Sequence, residues 1–152
     1  IMLNVNELNQ ICEKLSNKFS IKISIQITSL DKSLNGKFDF KFNKILINND
    51  IDQELAICTV YHEFRHAWQY QNYPDLFIWW MCHYDIYMEY YYTLVNSMEQ
   101  DAILYGNSHG KNNREDLLKF YSIDDLENLF QNNAFDFARE HLEYLESQRS
   151  GN

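Results

Sequence analysis

From Ile21 to Ile27 isoleucine occupies every second position, with Lys22, Ser24 and Gln26 between. Side chains alternate across a strand, so this pattern buries one face and wets the other. A helix would scatter the same residues around its circumference. The chain therefore needs a sheet, although the segments flanking it have a helical period. Val5, Leu8, Ile11, Cys12, Leu15 and Phe19 recur at three- and four-residue spacings, which predicts an amphipathic helix from about Asn4 to Phe19. Leu34-Asn35-Gly36 predicts a turn, Lys37 to Phe42 alternates again, and Ile45-Leu46-Ile47 is a short apolar run. Two or three antiparallel strands are expected, with a hairpin or bulge near Asn43-Lys44.

Everything after Asp52 is helical in period. One helix is expected from about Gln53 to Tyr70, stopping before Pro74, since the residue ahead of a proline is pushed out of the helical region. A second is expected from about Leu76 or Tyr84 to Tyr105, with Gly106 as a C-cap. A polar loop over 107–113, a short helix near 115–120 and a last helix over 123–147 complete the reading. The chain has 4 glycines and 1 proline in 152 residues, few sharp turns and room for one core. The expected class is α+β: a single domain spanning 1–152, with an N-terminal helix, a small sheet containing antiparallel pairing, and a helical C-terminal half.

The formal charge of −9 repels phosphate backbones, so nucleic acid is not an expected partner. Charge of this sign also serves solubility. Cys12, Cys58 and Cys82 are odd in number and far apart, without a Cys-x-x-Cys pair. Buried free thiols in a reducing compartment are expected, and neither a thiolate zinc knuckle nor a disulfide framework. The first residues lack the basic and apolar regions of a signal peptide. The aromatic run from Phe77 to Tyr92 is broken by His83, Asp85 and Glu89, which excludes it as a membrane span. A cytoplasmic protein with no membrane partner is expected; oligomeric state is left open.

Within the first long helix lies His62-Glu63-Phe64-Arg65-His66, the pattern His-Glu-x-x-His. Four positions is slightly more than one helical turn, so His62 and His66 project from one face and can grip one zinc ion. Glu63 is rotated by roughly 100° and lies beside the ion, where it can take a proton from a water whose pKa zinc lowers toward about 7. The apolar run Leu55 to Val60 ahead of the motif places it on a buried helix, unlike two stray surface histidines. A catalytic zinc also needs a third protein ligand and an open position. Glu99, on the next helix, is the first candidate, because Ala102 one turn later permits close helix packing. Asp101 is the alternative or a supporting group, and His83, Glu89 and His109 remain open. Arg65 points off the metal face and either pairs with an acid such as Asp101 or is simply solvated. Tyr84, Tyr87, Tyr90, Tyr91 and Tyr92 are candidates for stabilising an oxyanion, or else packing residues.

His62-Glu63-x-x-His66 followed by Glu99-x-x-Ala102 resembles the gluzincin metallopeptidases, in particular the minimal, single-domain kind and the ImmA/IrrE type. The resemblance spans about Lys37 to Tyr105. It implies a zincin-like fold, Zn2+ held by His62, His66 and Glu99, Glu63 as general base and acid, and a peptide or protein substrate. Arg65 departs from the small residue often found at its position. The Trp79–Tyr92 stretch has no counterpart there, and no helix-turn-helix accompanies the motif. The competing expectation is a metal-binding interaction protein without turnover, such as a toxin, phage or assembly factor, on the same scaffold.

Overall fold

The computed structural model describes residues 2–82, 99, 101–103, 105 and 106, without the side chains of Leu76 and Trp79. The loop over 107–113 and the helices anticipated near 115–120 and 123–147 lie outside the described residues, as do the tyrosines from Tyr84 to Tyr92. The described part is a mixed α+β arrangement of helices and one three-stranded sheet.

Helix α1 spans Val5–Phe19. Its N-cap Asn4 accepts a hydrogen bond from the Glu7 amide at 3.2 Å, satisfying one of the donors a helix start leaves open. Ser20, in the left-handed region at φ 56°, ends it. Leu8, Cys12 and Leu15 are the buried stripe. Strands β1 (Ser24–Thr28), β2 (Gly36–Asp39) and β3 (Lys44–Asn48) follow, and Asn43 takes φ 50° between β2 and β3, a conformation asparagine tolerates better than most residues.

The strand order is β1-β3-β2. β2 pairs antiparallel with β3, with Phe38 opposite Ile45, but β1 pairs parallel with β3, with Ile25 beside Ile45 and Ile27 beside Ile47. The sheet is thus mixed, which corrects the expectation of antiparallel strands throughout. Alternation states which face of a strand is buried and is silent on partner and direction. The most apolar strand takes the centre: Ile45 and Ile47 are fully buried. At its end Asn48 donates to the carbonyls of Leu34 (2.9 Å) and Asp31 (3.3 Å), holding the loop that leads into β2.

Helix α2 spans Gln53–Asn72 and starts at the N-cap Asp52, whose carboxylate accepts from the Leu55 amide at 2.8 Å. Gln53 clamps it to α1, accepting from the Asn4 amide (2.8 Å) and donating to Glu7 (3.0 Å). Ala56, Val60, Phe64 and Ala67 face the sheet and α1 in the core. Tyr73 is the C-cap, and α3 (Pro74–Cys82) begins at Pro74 itself. That start is two residues earlier than the nearer of the two expected, because proline at a first helical position forfeits no hydrogen bond. Residues 99, 101–103, 105 and 106 are also helical, and Ala102 and Tyr105 are buried. No helix among the described residues is long and apolar enough to cross a membrane. No disulfide joins the three cysteines, but only Cys12 is buried; Cys58 is partly covered and Cys82 is exposed, against the expectation of buried thiols. Burial pushes the Cys12 thiol up to about 11.

Gly36 marks the closest approach of β2 to α2. A Cβ there would stand 2.5 Å from Thr59 Cγ2 and 2.8 Å from the Leu46 carbonyl oxygen. Thr59 is itself held, its hydroxyl donating to the Leu55 carbonyl at 2.7 Å. Gly36→Ala is therefore expected to destabilise the chain by about 1–3 kcal/mol, as overpacked sites do, read as a lower urea midpoint. An unchanged midpoint would contradict this packing.

Candidate metal centre

Two helical segments converge at the motif. On α2 the rings of His62 and His66 lie on one face, 4.9 Å between centroids and nearly perpendicular. Glu99 reaches them from the second helical segment: its carboxylate oxygens stand 2.9 Å from His66 Nε2 and 3.9 Å from His62 Nε2. One ligand atom from each of the three lies within 4.8 Å of the others. Two atoms bonded to a tetrahedral zinc at ~2.0–2.1 Å stand ~3.3 Å apart, a spacing that the 2.9 and 3.9 Å contacts bracket. Two imidazole nitrogens and one carboxylate oxygen are a donor set suited to zinc, so these residues fit the ion.

Glu99 can reach α2 because the facing residues are small. A Cβ on Gly106 would sit 3.0 Å from the Cys58 carbonyl oxygen and 3.1 Å from His62 Cβ, and Ala102 one turn earlier is fully buried. Gly106 is helical, and no glycine among the described residues has positive φ. The expected C-cap role is therefore replaced by a packing role: this glycine lets one backbone rest against the His62 turn.

Asp101 is not among the three clustered residues. It faces Arg65, whose Nε and Nη2 donate to its two oxygens at 2.7 and 3.1 Å, and each residue is 2% exposed. Of the two readings of Arg65, the paired one holds and the solvated one does not. The guanidinium also lies 3.8 Å over the Trp68 ring. Gln69, which sequence reasoning did not single out, joins this pair to the site. Its amide nitrogen donates to Asp101 at 3.0 Å, and its Oε1 lies 2.8 Å from His66 Nδ1. A carboxylate only accepts, so Asp101 sets the orientation of the amide, and the amide oxygen then requires a proton on His66 Nδ1. That leaves His66 Nε2 directed at the cluster. The available signal was helical spacing, because Gln69 stands three positions after His66 and four after Arg65. His83, Glu89 and His109, the other ligand candidates, lie outside the described residues.

Glu63 is buried beside the cluster, its carboxylate 3.8 Å from His62 Nε2. Burial raises its pKa to about 7; the nearby Glu99 charge adds to the rise, while the His66 charge and a hydrogen bond from the Phe38 backbone oppose it. Burial and the charge on His66 hold His62 down at about 4. For His66 burial disfavours the cation, but its bond to Glu99, the charges of Glu63 and Glu99 and the Gln69 bond outweigh that and raise it to about 9. Burial works against ionisation of Glu99, yet the bond and charge of His66, helped by His62, hold it below the usual carboxylate range.

These shifts give the metal-free chain a pH signature. The His66 contribution to stability is complete below its ordinary 6.5 and is lost as pH rises through about 9. The Glu63 contribution has the same sign but is lost earlier, between 4.5 and about 7, and that of His62 is lost only on acidification toward about 4. Between pH 7 and 9 His66 therefore dominates, and the Tm of chelator-treated protein is expected to fall across that window. With zinc occupying the Nε2 lone pair the slope should flatten. A flat metal-free profile would contradict the His66–Glu99 pairing.

The cluster opens on both sides into a cleft. One lobe, of about 520 Å3, runs over Phe38, Phe77, Trp80 and Met81; the other, of about 320 Å3, runs over Ser33, Asn35, Cys58 and Thr59. Compared with known proteins, the chain matches no family model, no curated protein and no solved structure.

Proposed function

We propose that the chain is a zinc-dependent peptidase of zincin-like architecture, with His62, His66 and Glu99 as metal ligands and Glu63 as general base and acid. The observation that carries this reading is the convergence of two imidazoles and a carboxylate within 4.8 Å, next to a buried carboxylate and open to a cleft. A bound zinc would supply a Lewis acid at the scissile carbonyl and acidify the attacking water. Glu63 would take a proton from that water as its oxygen bonds to the carbonyl carbon. It would then deliver the proton to the amine nitrogen as the C–N bond breaks. Glu63 is buried beside the cluster, its carboxylate 3.8 Å from His62 Nε2, a position that suits it to both roles. Gln69, anchored by Asp101, would hold His66 in the tautomer that offers Nε2. Among the described residues β2 is an edge strand, and its Gly36, Lys37 and Phe38 border the cleft, so an extended polypeptide could pair along it.

The rival reading, a metal-binding interaction protein without turnover, shares the ligand set but gives Glu63 no task. The test is to strip the full chain of metal, titrate zinc and follow the hydrolysis of an unfolded protein substrate. One zinc per chain should restore hydrolysis, and a chelator should lower it by about 100-fold or more. Failure to take up zinc, or uptake without hydrolysis, would overturn the proposal; the second outcome favours the rival.

A further inference from the structure

We infer that the cleft selects polypeptide segments carrying a bulky apolar side chain (aromatic, leucine or methionine) beside the scissile bond, and that α3 builds the pocket that takes it. This rests on the peptidase reading above and names its substrate class.

The two lobes share Leu34, Gly36, His62, Glu63 and Glu99, so a polypeptide crossing the cluster would enter both. They differ in chemistry. The larger is walled by Phe38, Phe77, Trp80 and Met81, and among the described residues that line it Lys37 is the only charged one apart from the clustered groups. Its walls are preformed. Phe38 meets Phe77 edge-on at 6.0 Å, Phe77 meets Trp80 edge-on at 5.5 Å, and Trp80 stacks on His66 at 5.2 Å. Such a pocket needs little ordering when a side chain enters, so apolar burial converts into affinity. Leu34, 42% exposed, extends the apolar surface to the rim. At about 520 Å3 the lobe falls in the ~300–1,000 Å3 range of pockets that enclose small ligands. Among the described lining residues a basic side chain would find the acids already set beside the histidines, and an acidic one would find a single lysine, Lys37, beside an otherwise apolar wall.

The smaller lobe cannot take the same group as readily. At about 320 Å3 it has less room than the larger one. Ser33, Asn35, Cys58 and Thr59 line it along with Leu34, Leu55 and Ile103, a more mixed wall than that of the larger lobe. The preference is therefore one-sided. The large-lobe wall comes from α3, part of the aromatic stretch that the sequence resemblance leaves without a counterpart, so it belongs to this chain.

The test uses the zinc-loaded full chain on a mixture of unfolded proteins, with cleaved bonds read by mass spectrometry. Phe, Tyr, Trp, Leu or Met should occupy one and the same flanking position in most cleaved bonds. Met81, half-buried at the lobe, is the residue to alter. Met81→Glu should lower cleavage of such sites by about tenfold or more and favour Lys or Arg there, with zinc content unchanged. Met81→Trp should fill the lobe and favour Ala, Ser or Gly. A second readout needs no turnover: zinc-loaded Glu63→Gln protein should bind a peptide with Phe at that position about tenfold or more tighter than its Ala counterpart, by calorimetry. Flanking positions without apolar enrichment, or equal binding of the Phe and Ala peptides, would overturn the inference while leaving the peptidase reading intact. Absence of any cleavage by wild type would instead overturn the peptidase reading, and the inference with it.

Discussion

Replacing Glu63 by glutamine is expected to lower peptide hydrolysis by about 10²–10⁴-fold while one zinc ion per chain remains bound. The two side chains have the same shape, so the cleft survives the change. Glu63 is not one of the three clustered residues, and its role in the proposed reaction is to hold a proton. Glutamine keeps an oxygen to accept from the Phe38 amide but has no site to receive the proton of the attacking water. Removing a buried carboxyl held near pKa 7 by burial also removes a charge that costs free energy above that pH. Once stripped of metal, the variant should therefore melt no lower than equally stripped wild type near pH 8. Metal analysis, thermal melting and a hydrolysis assay on one preparation check all three statements. Wild-type turnover in the variant would remove Glu63 from the mechanism.

Asp101→Ala should lower stability by about 3–5 kcal/mol, because it takes away the carboxylate to which the buried Arg65 guanidinium donates two hydrogen bonds. Arg65 and Asp101 are both 2% exposed, and two hydrogen bonds of 2.7 and 3.1 Å join them. The same change removes the carboxylate to which the Gln69 amide beside His66 donates, so zinc affinity should fall by about 10–100-fold as well. A double replacement separates these effects. Arg65→Met with Asp101→Leu removes both charges and restores an apolar filling, which often recovers the stability of a buried pair. It still removes the carboxylate oxygen that accepts from Gln69. Urea unfolding should thus recover most of the loss, whereas competition with a chromophoric chelator should still report weakened zinc binding. Recovery of both would show that the pair supports folding alone.

The motif helix was legible because its evidence is local. His62, Glu63 and His66 lie within two turns, and a helical period is visible from Leu55 onward. The α1 stripe and the half-buried isoleucine strand were legible for the same reason. The direction of β1 was not, because strand partners are chosen by the burial of Ile45 and Ile47 across the sheet. Glu99 could be favoured over Asp101 on packing grounds, but five residues remained open as third ligand. Spacing along one helix says nothing about the distance to another.

Residue type and helical periodicity, short-range properties of the chain, were enough to specify the class of elements and the pair of histidines with their neighbouring acid. Only the folded arrangement put Glu99 within 2.9 Å of His66, because that contact depends on Gly106 resting against the His62 turn. The same arrangement turned Asp101 toward Arg65, drew Gln69 between that pair and His66, and set α3 as one wall of the cleft. Each is a contact between residues distant in sequence or a choice among competing partners, decided by packing and burial.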